Sequence, residues 1–191
     1  LLDIARTLRD EHHFQSGRKI SFAPRVFFGA AENPSGLPYE WRPLRLAKKV
    51  AAGAQFIQTQ YCYDLPLLRS FMEQVEALGL FDKVYILAGV GPLRSAKTAE
   101  WMRKNVPGMH VPDALIARLA GAQDQAAEGR NICIELIQAM REIRGISGVH
   151  IMAYRQEESV AEIVDKSGVL QGRSPWYPGR DAPQYSQRTV S

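Results

Sequence analysis

The chain has 191 residues, 46% of them hydrophobic and 23% charged, which suits one domain with its own core and excludes a disordered chain. Its formal charge of +4 comes from lysines and arginines scattered along the sequence, so a solvated surface is expected rather than a nucleic-acid face, although the excess would favour an anionic ligand. The two cysteines, Cys62 and Cys133, sit in separate apolar segments without CxxC spacing, which argues against a disulfide framework or zinc site and for a reducing, cytoplasmic setting. No apolar run reaches the ~18 residues of a membrane span, and no secretory signal is expected. A start at Leu1 rather than at methionine is expected of a fragment or a processed product.

Leu1 to His12 reads as a helix with Leu1, Ile4, Ala5 and Leu8 on one face. A polar connection then leads to Arg25–Ala31, an apolar run suited to a buried strand. Glu32 to Pro43, with Asn-Pro, Ser-Gly and Leu-Pro, reads as a loop, and Pro43 suits the first turn of a helix. Leu44, Ala47, Val50, Ala51 and Ala54 make the apolar stripe of that helix, which Gly53 ends. Ala54 to Tyr61 is the next strand, and Asp64 is an N-cap for a helix carrying Leu68, Phe71, Met72 and Val75 and stopped by Gly79. Val84 to Val90 is a third strand. Helices over 95–105, 112–119 and 124–144 follow, then a fourth strand over 149–154 and a last helix over 157–166. Beyond Gly168 the periodicity ends, and residues 169–191 read as an extended or disordered tail, or an arm laid on another surface.

Strands alternating with helices predict an α/β fold with a parallel sheet. Four strand–helix units cannot close an eight-stranded barrel, which typically needs ~250 residues. The leading helix has no strand before it, so residues 1–168 are expected to form the C-terminal half of a (β/α)8 TIM-barrel-type domain.

In such a fold the chemistry sits at the C-terminal ends of the strands. Gln60 falls there, in Thr59-Gln60-Tyr61-Cys62-Tyr63-Asp64. Its amide carries a donor and an acceptor on one rigid group, which suits the edge of a pterin or flavin and equally suits loop backbone. Tyr61 and Tyr63 either flank a planar ring or pack the rim. Lys48 and Lys49, on the preceding helix, are within reach of a phosphate at the barrel mouth, but on spacing alone a solvated helix face is the simpler reading. Gly89-Val90-Gly91-Pro92 allows close backbone approach and lacks Rossmann or P-loop spacing. Glu32-Asn33 is a candidate polar pair at the mouth, where an Asn before Pro commonly shapes the turn. His110 sits in a loop, and His150 enters a strand as a core or rim histidine. No histidine pair has metal-ligand spacing, and no Ser-His-Asp set or acid–base carboxylate pair stands out.

Four pieces, Phe28–Pro34, Leu46–Asp64, Leu87–Pro92 and Gly148–Met152, resemble the methylenetetrahydrofolate reductases, which are flavin-dependent eight-stranded α/β barrels. Their order matches the fifth to eighth strands of that family. The resemblance implies FAD as cofactor, NADH or NADPH as co-substrate, and a folate as small-molecule substrate. It implies that Gln60 contacts the pterin, that Lys49 lies near the flavin diphosphate with Lys48 the basic residue before it, and that Arg45 is a further flavin contact. Thr98 falls where a substrate-contacting Gln is common, and Met102 where a folate-packing aromatic is common. The departures are specific. Glu32 to Pro38 replaces the family's Tyr-Pro-x-x-His-Pro, Met152 stands where many members have Tyr, and Gln156 where they have Arg. The family's acidic proton donor and an Arg-Gly-Asp flavin contact belong to earlier strands.

The expected function is therefore reduction of 5,10-methylenetetrahydrofolate to 5-methyltetrahydrofolate by the intact protein, as a homo-oligomer or in association with the other half-barrel. Two rivals accompany it. One is a barrel relative with another folate or flavin reaction, or without FAD, motivated by the altered loop. The other is a non-catalytic barrel subunit, motivated by the unmatched acid.

Overall fold

The computed structural model describes residues 1–172; the expected tail, from residue 173 onward, lies outside the described residues. In chain order the elements are α1 (Leu2–Arg6), β1 (Gly29–Glu32), α2 (Trp41–Ala51), β2 (Phe56–Tyr61), α3 (Leu65–Ala77), β3 (Tyr85–Val90), α4 (Ala96–Asn105), α5 (Asp113–Gly121), α6 (Gln125–Arg141), β4 (Ile146–Ile151) and α7 (Val160–Ser167). The four strands make one parallel sheet in the order β1-β2-β3-β4, as the alternation predicts. Val169 packs against the core just past α7.

Side chains alternate across a strand, so each strand offers one set of residues to each sheet face. Ile57, Ile86, Ala88 and Val90 are buried in a cluster with Leu68, Phe71, Met72 and Val75 of α3 and Ile132, Leu136 and Met140 of α6. The other face is uncovered: Gln58 and Tyr85 are exposed. Three helix starts are capped as side-chain chemistry dictates. The Asp64 carboxylate accepts from Leu67 N–H, the Ser95 hydroxyl from Thr98 N–H, and the Asp124 carboxylate from Ala127 N–H. Gly53 ends α2 at φ 107°, with Gly53 N–H on Val50 O and Ala54 N–H on Lys49 O, the paired bonds of a Schellman turn.

Four boundaries differ from expectation. β1 is Gly29–Glu32 rather than 25–31, because the Phe28 carbonyl already accepts from both Gln55 and Phe56 N–H and no ladder extends upstream; Phe27 instead stacks on Phe56 at 5.5 Å. β4 is Ile146–Ile151 rather than 149–154, because the chain pairs with β3 directly after the turn at Gly145. The buried side of α2 is Pro43 and Leu46, with Ala47 and Val50 against the core, while Leu44 is 51% exposed; the stripe runs i, i+3, i+4, i+7 from Pro43. The first helix breaks into a π-helical turn at Thr7–Glu11 that ends at His12 with φ 58°, and it buries no residue. Among the described residues no helix is long and apolar enough to cross a membrane.

Candidate active site

β2 reaches its C-terminal end through an irregularity that sets the site. Its register against β3 shifts between Gln58 and Tyr61. There the Thr59 hydroxyl accepts from Gly89 N–H at 2.7 Å and donates to the Gln60 carbonyl at 2.8 Å. A Cβ at position 89 would collide with the Thr59 and Gln60 carbonyls, so glycine is required for the approach of β2's own backbone rather than for a ligand's. The Gln60 side chain accepts from Tyr61 N–H through Oε1 at 3.0 Å. Its NH2 has no acceptor among the described residues.

Gln60 lines a hollow of about 430 Å³ together with Gln58, Glu32, Arg45, Lys49, His150 and Met152. His150 keeps a buried Nδ1 without a hydrogen-bond partner among the described residues. Uncompensated buried polar atoms are rare in native proteins and call for an explanation such as a ligand. The basic side of the hollow is already partly satisfied. Lys49 Nζ donates to Glu32 Oε2 and to the Ala31 carbonyl, both at 2.6 Å, and the Glu32 side chain is only 2% exposed. Glu32 Oε1 accepts from Asn33 N–H at 2.9 Å and stands 4.0 Å from Arg42 Nη1. Arg45 lines the hollow but is exposed and makes no ion pair among the described residues, and Lys48 is exposed and lines no hollow described here.

A second hollow, of about 370 Å³, shares Met152 with the first as a lining residue. Thr98 and Met102 of α4 line it with Tyr61, Trp101 and Tyr154. Thr98 Oγ1 is 3.0 Å from Ser95 Oγ, so its hydroxyl is tied into the cap of α4. Gln156 Nε2 donates to the Pro92 carbonyl at 3.1 Å. Of the six residues singled out above, Arg45, Lys49 and Gln60 thus share one hollow, Thr98 and Met102 the adjoining one, and Lys48 lies outside both.

Tyr63 is buried in the core and Tyr61 is partly buried against it. Tyr61 and Tyr63 stack on each other at 5.4 Å, Tyr61 OH donates to the Met152 carbonyl, and Tyr63 OH donates to the Gly91 carbonyl. Burial pushes the Cys62 thiol up to about 11 and the Cys133 thiol up to about 12, so both are protonated at neutral pH and neither serves as a nucleophile. Asn33 shapes its turn, accepting from Ser35 N–H and donating to the Gly108 carbonyl. His110 Nδ1 lies 2.9 Å from Asp64 Oδ2. Among the described residues no group of three or more His, Cys, Asp or Glu side chains could hold a metal. Arg42 belongs to the site but was not singled out from sequence, whereas Glu32 was read there as half of a polar pair at the mouth and His150 as a core or rim histidine. Glu32 had one available signal: a carboxylate directly at the end of an apolar strand run.

Residues 19–168 match the family model of methylenetetrahydrofolate reductase. The chain belongs to the methylenetetrahydrofolate reductase family. It is 31% identical over 143 residues to methylenetetrahydrofolate reductase 2 of Schizosaccharomyces pombe, covering 69% of this chain and 22% of that protein. It is 24% identical over 187 residues to the probable methylenetetrahydrofolate reductase (NADPH) of Caenorhabditis elegans, covering 92% of this chain and 26% of that protein. The chain thus spans about a quarter of the length of these curated relatives. Among solved structures, an uncharacterized protein from Clostridium thermocellum that binds two copies of 5-methyl-5,6,7,8-tetrahydrofolic acid superposes with a TM-score of 0.55 at 21% identity, covering 78% of this chain and 55% of that one. That likeness is one of fold.

Proposed function

We propose that this chain forms the folate-binding wall of a cytoplasmic enzyme that reduces 5,10-methylenetetrahydrofolate to 5-methyltetrahydrofolate at the expense of NADH or NADPH. The observation that carries the reading is the unpaired NH2 of Gln60, at a strand end of a methylenetetrahydrofolate reductase family member and in a hollow that His150 also lines. A pterin edge presents donors and acceptors to such groups. The adjoining hollow at Thr98 and Met102 has the apolar lining an aromatic arm of the same ligand would take. The solved neighbour's reduced-folate ligand supports the ligand class. The sheet itself is read as the C-terminal four strand–helix units of a (β/α)8 barrel, completed by other strands.

In this reading the chain's contribution is orientation. Gln60 and His150 fix the ring edge, and Met152 lines both hollows, so that the reacting carbon is held at one distance and angle. FAD, which the resemblance implies, supplies hydride transfer when bound. Its diphosphate needs free cations, and Lys49 does not fit that role because it is committed to Glu32 and Ala31 O. The same pair favours a second reading, a family relative that handles reduced folates without FAD. The primary test is NAD(P)H-dependent reduction of 5,10-methylenetetrahydrofolate by the full-length protein and by Gln60→Ala. The reading expects KM for the folate to rise about 2- to 12-fold, the equivalent of about 0.5–1.5 kcal/mol for one neutral hydrogen bond. Unchanged KM would refute it.

A further inference from the structure

We infer that Glu32 is a built-in anion that closes the cationic side of the first hollow to dinucleotide diphosphates and leaves it specific for the uncharged ring of its ligand. The argument starts from placement. Glu32 ends β1, and its carboxylate faces Lys49, which sits seventeen residues later on α2. The carboxylate is held from three sides, by Lys49 Nζ, by Asn33 N–H and by the nearby Arg42 guanidinium.

A phosphate arriving at Lys49 must displace this carboxylate, whose side chain is only 2% exposed. Leaving it unpaired in place would strand a buried charge. Lys49 is held from a second direction by the Ala31 carbonyl, and Arg42, which also lines the hollow, is held by the Gly36 and Leu37 carbonyls, each at 2.5 Å, with its Nη1 4.0 Å from Glu32. The loop that carries Glu32 is fixed in turn, because Asn33 bonds both Ser35 N–H and the Gly108 carbonyl. The lining groups not engaged in this cluster include the Gln60 NH2, Gln58, His150 and the exposed Arg45. A lone exposed arginine is screened by solvent and salt. The hollow thus presents amide and imidazole groups and the exposed Arg45, while Lys49 and Arg42 are engaged by Glu32 and backbone carbonyls.

The inference rests on the folate reading only for the identity of the ring, and its test separates the two. The purified full chain is titrated with FAD and with riboflavin, which carries the same ring system without phosphates, and flavin fluorescence is followed. The same titrations are run on Glu32→Gln and on the double variant Glu32→Gln/Lys49→Met, which removes the Lys49 cation together with the Glu32 carboxylate. The expected result is that the natural protein and the double variant each bind FAD and riboflavin within twofold of one another, or bind neither. Glu32→Gln, with Lys49 released, should gain at least a tenfold preference for FAD. If Glu32→Gln fails to fold, the comparison of natural protein with double variant decides alone. A tenfold preference for FAD in the natural protein that disappears in the double variant overturns the inference. A preference present in both the natural protein and the double variant overturns it too, because the hollow then takes the diphosphate through other cations. Binding of 5-methyltetrahydrofolate on the same samples reports on the folate reading independently.

Discussion

Gln60 divides its functional group between the protein and the hollow: Oε1 is fixed by Tyr61 N–H, and the NH2 is left unpaired among the described residues. Because the amide is a single planar unit, fixing its acceptor also aims its donor. Its place at a strand end was readable from the apolar run before it, and its place in the hollow follows from that. The role of Lys49 was not readable, since its partner Glu32 is brought to it by packing of α2 on β1 and not by any local spacing. The buried thiols give a pH prediction. The folded-state value for Cys62 is raised from its ordinary 9.0 to about 11, so its burial supports the fold fully below pH 9, and that support is lost progressively from about pH 9 to about 11 as the unfolded chain alone ionises. Denaturant midpoints should fall across this window, and thiol reagents at pH 8 should label Cys62 and Cys133 only on unfolding. Rapid labelling of the folded protein would contradict the burial argument. Tyr61→Phe removes the bond to the Met152 carbonyl and should cost about 0.5–1.5 kcal/mol by chemical denaturation.

The elements were legible wherever local chemistry is strong. Asp64 caps α3, and Gly53 and Gly79 end the helices that precede β2 and β3, because caps and positive-φ turns are properties of a few adjacent residues. Strand ends were less legible. An apolar run continues upstream through Val26 and Phe27, but a strand exists only where a neighbouring strand supplies partners, and for β1 that begins at Gly29. The bulge in β2 was invisible in sequence because it depends on Thr59 reaching across to Gly89 N–H. It makes a sharp prediction. Gly89→Ala forces a methyl into the Thr59 and Gln60 carbonyls and should destabilise by about 1–3 kcal/mol, measured by thermal or denaturant unfolding. A neutral effect would mean that β2 does not approach β3 so closely. Asp64→Ala should cost about 0.5–2 kcal/mol through the lost cap of α3, in the same assay.

For the whole molecule, the sheet is covered by helices on one face, and β1 and β4 carry no further strand among the described residues. Alternation of strands and helices was enough to predict parallel order, because short connections and crossovers leave few alternatives. Unpaired edges and an uncovered face bearing Gln58 and Tyr85 are sites where further strands or another chain would add. Light scattering of the purified 191-residue chain should therefore give a mass above one copy, and a well-behaved monomer at high concentration would argue against strand addition. The functional account depends on one recognition event at the head of that sheet, where Gln60 offers its unpaired NH2 in a hollow that His150 also lines. Calorimetric titration of the full-length protein with 5-methyltetrahydrofolate tests it directly. The account predicts saturable binding that weakens about 2- to 12-fold in Gln60→Ala while the fold is unchanged by circular dichroism; no binding, or binding indifferent to Gln60, would contradict it.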